Sequence, residues 1–196
     1  MRRPALLCWL LLAGLAGGCV NTAEFAEDVG RLPTCTSKPG TVRRGVLIMA
    51  QSVPSAQWLP CIRTVPVGWS FDEIRPRDGE VRMLFSSDRD GMHALTVLLR
   101  PSCDITGATE VPSEYPEMHR YERVTRVSSG YGGERQYTFI GGCVTYRFDL
   151  HGSTRAEPVA AVSESLAFLS RQKLDEMLRQ VSDGRLRLDP SGEAGS

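Results

Sequence analysis

The chain has 196 residues with 23 basic and 23 acidic side chains. That balance excludes the large cationic surface needed for nucleic acid or anionic lipid. Its 41% hydrophobic content is that of a globular chain, and six cysteines raise the question of compartment.

The first element answers that question. Met1-Arg2-Arg3, the apolar run Ala5 to Leu15 and the small residues Ala16-Gly17-Gly18 before Cys19 have the layout of an export signal, basic then apolar then small. Residues 1–18 are therefore read as a signal peptide. Leu15-Ala16-Gly17-Gly18-Cys19 resembles the lipobox of bacterial lipoproteins, which implies cleavage before Cys19 and lipidation of that residue. The position three before the cysteine is Ala16, where that motif usually has Leu. An ordinary secretory signal cleaved nearby, or an uncleaved N-terminal anchor, stays open, and each of the three exports the remainder of the chain. Removing residues 1–18 from 196 leaves 178, and takes away Arg2 and Arg3 but no acid, so 21 basic face 23 acidic groups. The size suits one domain with its own core.

Residues 19–43 are mixed and polar, with Pro33, Pro39 and Gly40, and read as a lipid-anchored tether that becomes ordered near Cys35. A single α+β domain is expected over 44–189. The apolar run within Gly45 to Gln51 suits a buried strand or a helical turn, and periodicity does not choose. Trp58 to Trp69 places two tryptophans around Cys61, Pro60 and Pro66, as in an edge strand or extended loop. The tryptophans suit core packing against a disulfide, or else a sugar-stacking platform.

Glu80 to Ser86 and Met92 to Arg100 predict a hairpin, because apolar and polar residues alternate and Asp90-Gly91 supplies the turn. Asp88-x-Asp90-Gly91 lacks the further oxygen ligands and the downstream Glu of a calcium loop. Tyr121 to Ser128 and Glu134 to Ile140 predict a second hairpin through Gly130, Gly132 and Gly133. Each hairpin ends in a cysteine, Cys103 or Cys143, as though two halves of a sheet were stapled together. Val144 to Leu150 alternates as a further strand. Glu157 to Leu169 fits a helix, although Leu166 to Leu169 also suits a short strand. Ser170 as N-cap, Leu174, Met177, Leu178 and Val181 at helical spacing, and Gly184 as stop predict an amphipathic helix. Arg185 to Leu188 is a candidate last strand, and 190–196 a disordered tail.

With Cys8 in the signal and Cys19 under lipid, Cys35, Cys61, Cys103 and Cys143 remain for disulfides in an oxidising compartment. Three connectivities exist. Pairing Cys35 with Cys61 and Cys103 with Cys143 closes the smaller loops. No C-x-x-C or C-x-H spacing favours a metal.

No catalytic residue, metal or cofactor is assigned. Ser170-x-x-Lys173 has the spacing of a Ser–Lys nucleophile pair, but the Lys-Thr-Gly element is missing. Glu117-x-His119-x-x-Glu122, with Glu110 and Glu114 nearby, is the densest set of ligand-type residues and reads as a solvated loop. His93, His119 and His151 are far apart in sequence, so a hydrolase needs the fold to bring one of them to a Ser or carboxylate.

Ala50-Gln51-Ser52-Val53-Pro54, Leu59-Pro60-Cys61, Gly68-Trp69, Ser87-Asp88-Arg89-x-Gly91, Gly141-Gly142-Cys143-Val144-Thr145-Tyr146 and Gly184-Arg185-Leu186 resemble stretches of uncharacterised exported, lipoprotein-like proteins of actinobacteria. The resemblance implies an envelope location and brings no activity.

The sum is an α+β fold: a mainly antiparallel sheet of about five or six strands, disulfide-stapled, with the C-terminal amphipathic helix packed on one face. The expected role is a membrane-anchored extracytoplasmic binding or interaction module with an envelope protein or glycan as partner. A hydrolase with a dispersed site and a purely structural envelope protein are the alternatives.

Overall fold

The computed structural model describes residues 32–35, 42–152 and 156–190. The signal segment, Cys19, most of the tether and residues 191–196 lie outside the described residues. In chain order the elements are α1 (Arg44–Ser52), β1 (Trp58–Ile62), β2 (Trp69–Arg77), β3 (Glu80–Ser87), β4 (Gly91–Arg100), β5 (Thr109–Val111), β6 (His119–Arg126), β7 (Tyr131–Phe139), β8 (Gly142–Leu150), α2 (Ala156–Glu164), β9 (Leu166–Ser170) and α3 (Arg171–Val181).

Seven strands form one antiparallel sheet in the order β2-β3-β4-β8-β7-β6-β5, and β1 pairs with β9 as a separate antiparallel ribbon. The mostly antiparallel α+β architecture is the expected one, but the strand count is larger than expected. The added strands are β2 and β5 at the sheet edges; β1 and β9 of the ribbon take the strand option left open for Trp58 to Trp69 and for Leu166 to Leu169. β2 has no clean alternation because it carries Asp72, Glu73, Arg75, Pro76 and Arg77 and is bulged between Phe71 and Glu73. Those are the features that keep an edge strand from pairing with another chain.

The two expected hairpins are β3–β4 and β6–β7. They belong to two halves, β2-β3-β4 and β5-β6-β7-β8, which meet where β4 pairs with β8. The connection 101–108 must therefore cross β8, β7 and β6 to reach the far edge. It is pinned on the way: Gln136 Nε2 donates to Asp104 O at 3.2 Å and Arg123 Nη1 to Thr106 O at 2.9 Å. Cys103, at the start of the crossing, lies at disulfide distance from Cys143 of β8, with Cα atoms 5.7 Å apart. Cys35 stands likewise against Cys61, at 5.0 Å. There Thr34 makes a parallel bridge to Ile62.

The register puts Val81, Met83 and Phe85 opposite Leu99, Val97 and Leu95, and these opposite Val144, Tyr146 and Phe148. All are buried in one cluster with Met49 of α1, Leu59 and Ile62 of β1, and Leu174 and Leu178 of α3. The run within Gly45 to Gln51 is thus a helix, burying Val46, Met49 and Ala50. The C-terminal helix is present as expected and packs on β9 of the ribbon, with Leu174 and Leu178 in the core.

The β7–β8 turn is held close to the α1–β1 connection. A Cβ on Gly141, whose φ is +73°, would stand 2.0 Å from Ser55 O. Only glycine fits there.

The other face of the sheet is laced with ion pairs. Glu134, whose side chain is 9% exposed, accepts from Arg123 Nη2 at 2.5 Å and from Arg147 Nε at 2.9 Å. Burial alone would push its carboxyl up, but the hydrogen bonds from Arg123 and Arg147 outweigh it and hold it below the usual 4.5. A carboxyl depressed in the folded state stabilises fully above its unfolded value and loses that contribution as pH falls through the lower folded value. Glu134→Gln is expected to cost about 1 kcal/mol at pH 7, since both guanidiniums stay partly solvated. In urea titrations at several pH values, the gap from wild type should hold above the ordinary carboxylate range and close as pH falls through the lower folded value.

Candidate functional site

The Trp58 end of the ribbon opens onto a groove of about 580 Å³ between β1, the start of α3 and the segment 187–190. Its walls follow from how α3 begins and ends. The Ser170 Oγ accepts from Lys173 N at 3.1 Å, capping the first turn. Lys173 Nζ reaches Glu176 at 3.3 Å. Ser170 and Lys173 therefore act as a cap and a surface ion pair. Ser170→Ala should lower the melting temperature by a few degrees, for a loss of about 1 kcal/mol.

Past α3 the chain folds back, and its backbone is satisfied by side chains of the helix. Ser182 Oγ accepts from Leu186 N at 2.9 Å, and Asp175 Oδ1 from Leu188 N at 2.7 Å. The expected strand at Arg185 to Leu188 is absent for this reason. The buried Arg171 completes the wall, donating through Nη1 to Ala50 O at 2.7 Å and through Nη2 to Asp189 O at 2.8 Å. Burial lowers its pKa from the ordinary guanidinium value while Asp189 and Asp175 counter it. A guanidinium so far from titration stays charged.

What remains inside the groove is chemically varied. Trp58 is half-buried, packed against the core with part of its surface toward the groove. Among the described residues, the side chains of Gln57, Arg187 and Asp189 line the groove without an intramolecular hydrogen bond. Arg179 is held by Asp175 Oδ2 at 2.5 Å. An indole edged by an amide, a carboxylate and guanidiniums suits a ligand with an apolar face and a rim of hydroxyls.

The histidines do not assemble a catalytic pair. His119 Nδ1 is 2.9 Å from Glu110 Oε1 at the β5–β6 edge, with both side chains more than half exposed. Glu122 points to the other side of the sheet, where it accepts from Arg135 Nε at 2.8 Å, so the Glu117-x-His119-x-x-Glu122 set is split by strand alternation. His151 Nε2 stands 3.7 Å from Asp149 Oδ1. His93 does come beside a serine and an aspartate, Ser86 and Asp72, a grouping not visible in the sequence. Its wiring does not activate the serine: Ser86 Oγ donates to Asp72 Oδ2 at 2.5 Å and accepts from the His93 backbone at 3.1 Å, while the His93 ring is 4.0 Å from Asp72. A nucleophile needs its base on the hydroxyl. Among the described residues, no three His, Cys, Asp or Glu gather closely enough to hold a metal ion.

Trp58 was legible as a possible stacking surface, whereas Arg171 was missed. Its signal was present: Arg171 falls at i, i+3 and i+7 with Leu174 and Leu178, a charge on the buried stripe of the helix that needs a buried partner. Trp69 is half-buried against the core.

No protein-family model matches the chain. No curated protein and no solved structure matches it either.

Proposed function

We propose that this chain is an extracytoplasmic binding module of the bacterial cell envelope, held to the membrane by lipid on Cys19, and that a glycan is the ligand of the Trp58 groove. The single observation behind this reading is the groove itself. Its indole lines the groove, and among the described residues the amide of Gln57, the guanidinium of Arg187 and the carboxylate of Asp189 around it make no side-chain hydrogen bond. A sugar ring presents a C–H face to an aromatic ring and hydroxyls at its rim, so it meets both kinds of group at once.

The compartment agrees. Two cysteine pairs at disulfide distance fit an oxidising, extracytoplasmic setting. Among the described residues, no helix is long and apolar enough to cross a membrane. The attachment proposed is through the N-terminal segment, by lipid on Cys19. A signal-type N-terminus followed by a polar spacer is what such attachment requires.

The test is a fluorescence titration of the purified mature chain with soluble fragments of the envelope glycan. Binding should shift the indole emission, and Trp58→Ala should weaken binding about tenfold, the effect of losing one stacked aromatic. A Trp58→Ala chain that binds the fragments as tightly as wild type would overturn the assignment of this groove.

A further inference from the structure

The ribbon has a second end. Beyond the Ile62↔Leu166 pair, Arg63 and Glu164 flank a hollow of about 400 Å³, closed by Tyr115, Arg120, Arg135 and Ser163. We propose that this hollow binds an α-amino-acid zwitterion, with the carboxylate on Arg135 and Arg63 and the ammonium on Glu164.

The geometry starts from two arginines on the core side of the sheet, where β6 and β7 run out from under the ribbon. Both are held from behind. Glu122 Oε1 accepts Arg135 Nε at 2.8 Å, and Glu114 Oε2 accepts Arg120 Nη1 at 2.8 Å. Glu114 is fully spent, because its other oxygen accepts the Tyr137 hydroxyl at 2.6 Å. Burial and that bond both push the Tyr137 phenol far above its ordinary value, so it stays a neutral donor to Glu114. The Arg135 side chain is only 18% exposed; its Nε is taken by Glu122 and the guanidinium lies beside the Tyr137 hydroxyl, while its Nη groups make no hydrogen bond to a carboxylate among the described residues. They are oriented donors on the wall of a hollow, preorganised as a carboxylate site requires.

The sum of charge narrows the ligand. Arg63, Arg120 and Arg135 are offset by Glu114, Glu122 and Glu164, so the site as a whole exerts no net pull on a simple anion. What is unmatched is local. Arg63 and Glu164 have no ion-pair partner among the described residues; both stand at the end of the ribbon, Arg63 just past β1 and Glu164 at the end of α2, across the hollow from Arg135 of the sheet. A ligand carrying both charges a few ångströms apart satisfies both walls. Tyr115, Ala160 and Leu166 line the remainder, which suits a small apolar side chain.

This site is independent of the Trp58 groove, and its test separates the two. Alanine, as zwitterion, and acetate, as carboxylate alone, are titrated into the purified chain and followed by amide chemical shifts around Arg63, Arg135 and Glu164. Alanine should bind at least tenfold more tightly than acetate. Arg63→Gln should weaken both. Glu164→Gln should weaken alanine about tenfold and strengthen acetate, because it removes the ammonium partner and the charge that repels an anion. Among the described residues neither has an ion-pair or side-chain hydrogen-bond partner to lose, so an unchanged melting temperature verifies folding, and Trp58→Ala should leave alanine binding unaltered. Acetate binding wild type as tightly as alanine, or alanine binding unchanged in Glu164→Gln, would overturn the proposal.

Discussion

Serine at both Cys103 and Cys143 is expected to lower unfolding stability by about 4 kcal/mol, the largest loss from any local change to the main sheet. The pair closes a loop of 40 residues, and the chain-entropy account assigns such a loop about that value. The loop is structurally demanding, because it contains the crossing from 103 to 108 and the three strands that return from the far edge to β8. Urea unfolding of the double variant should show the lower midpoint, together with faster hydrogen exchange over 101–108. The Cys35–Cys61 pair spans 26 residues, and its loss should cost slightly less, about 3.5 kcal/mol. A reduced chain as stable as the oxidised one would remove the cysteine pairs from any account of compartment.

The second large effect belongs to Arg171. Replacing it with Met keeps much of the stem but strips both hydrogen bonds from the buried end of the side chain. Ala50 O and Asp189 O then lose their donors. The expected cost is about 3 kcal/mol, that of a buried charged donor removed from two carbonyls. The consequence for the groove is separate from the stability loss. With Asp189 released, segment 187–190 should loosen, and glycan fragments should bind more weakly even at temperatures where the variant is fully folded. Comparison with Ser170→Ala, which weakens the same helix start at the groove's edge but leaves the Arg171–Asp189 hydrogen bond in place, distinguishes lost stability from the release of segment 187–190.

The legible parts of this fold are those whose signal is local. Val81, Met83 and Phe85 alternate because one side of β3 is buried, and Asp90-Gly91 closes that hairpin with Gly91 at positive φ. Leu174, Leu178 and the Ser170 cap mark α3 by period and end. The cysteine pairing followed from loop size. Other parts depend on distant neighbours. The run Val46 to Ala50 is too short for its period to separate helix from strand, and its choice is made by packing of Val46, Met49 and Ala50 into the core. β2 and β5 are edges, with one neighbour each, so little of their pattern is dictated by burial. Both binding hollows draw on residues far apart in the chain. Gln57 and Trp58 meet Arg187 and Asp189 because β1 and β9 pair, and Arg63 comes to the same hollow as Arg135 because the ribbon packs on the sheet. Single-residue oddities were the available pointers: an arginine on an apolar stripe at 171, and arginine in a strand beside the buried Tyr137 at 135.

A tethered envelope module depends most heavily on Cys19, and one measurement addresses that residue directly: intact and N-terminal peptide mass spectrometry of the chain matured in a bacterial host with a lipoprotein pathway, with metabolic fatty-acid labelling. The expected result is a mature chain beginning at Cys19, carrying a diacylglyceryl thioether and incorporating the label. A mature chain that retains residues 1–18, or that begins elsewhere with Cys19 removed or unmodified, would contradict it.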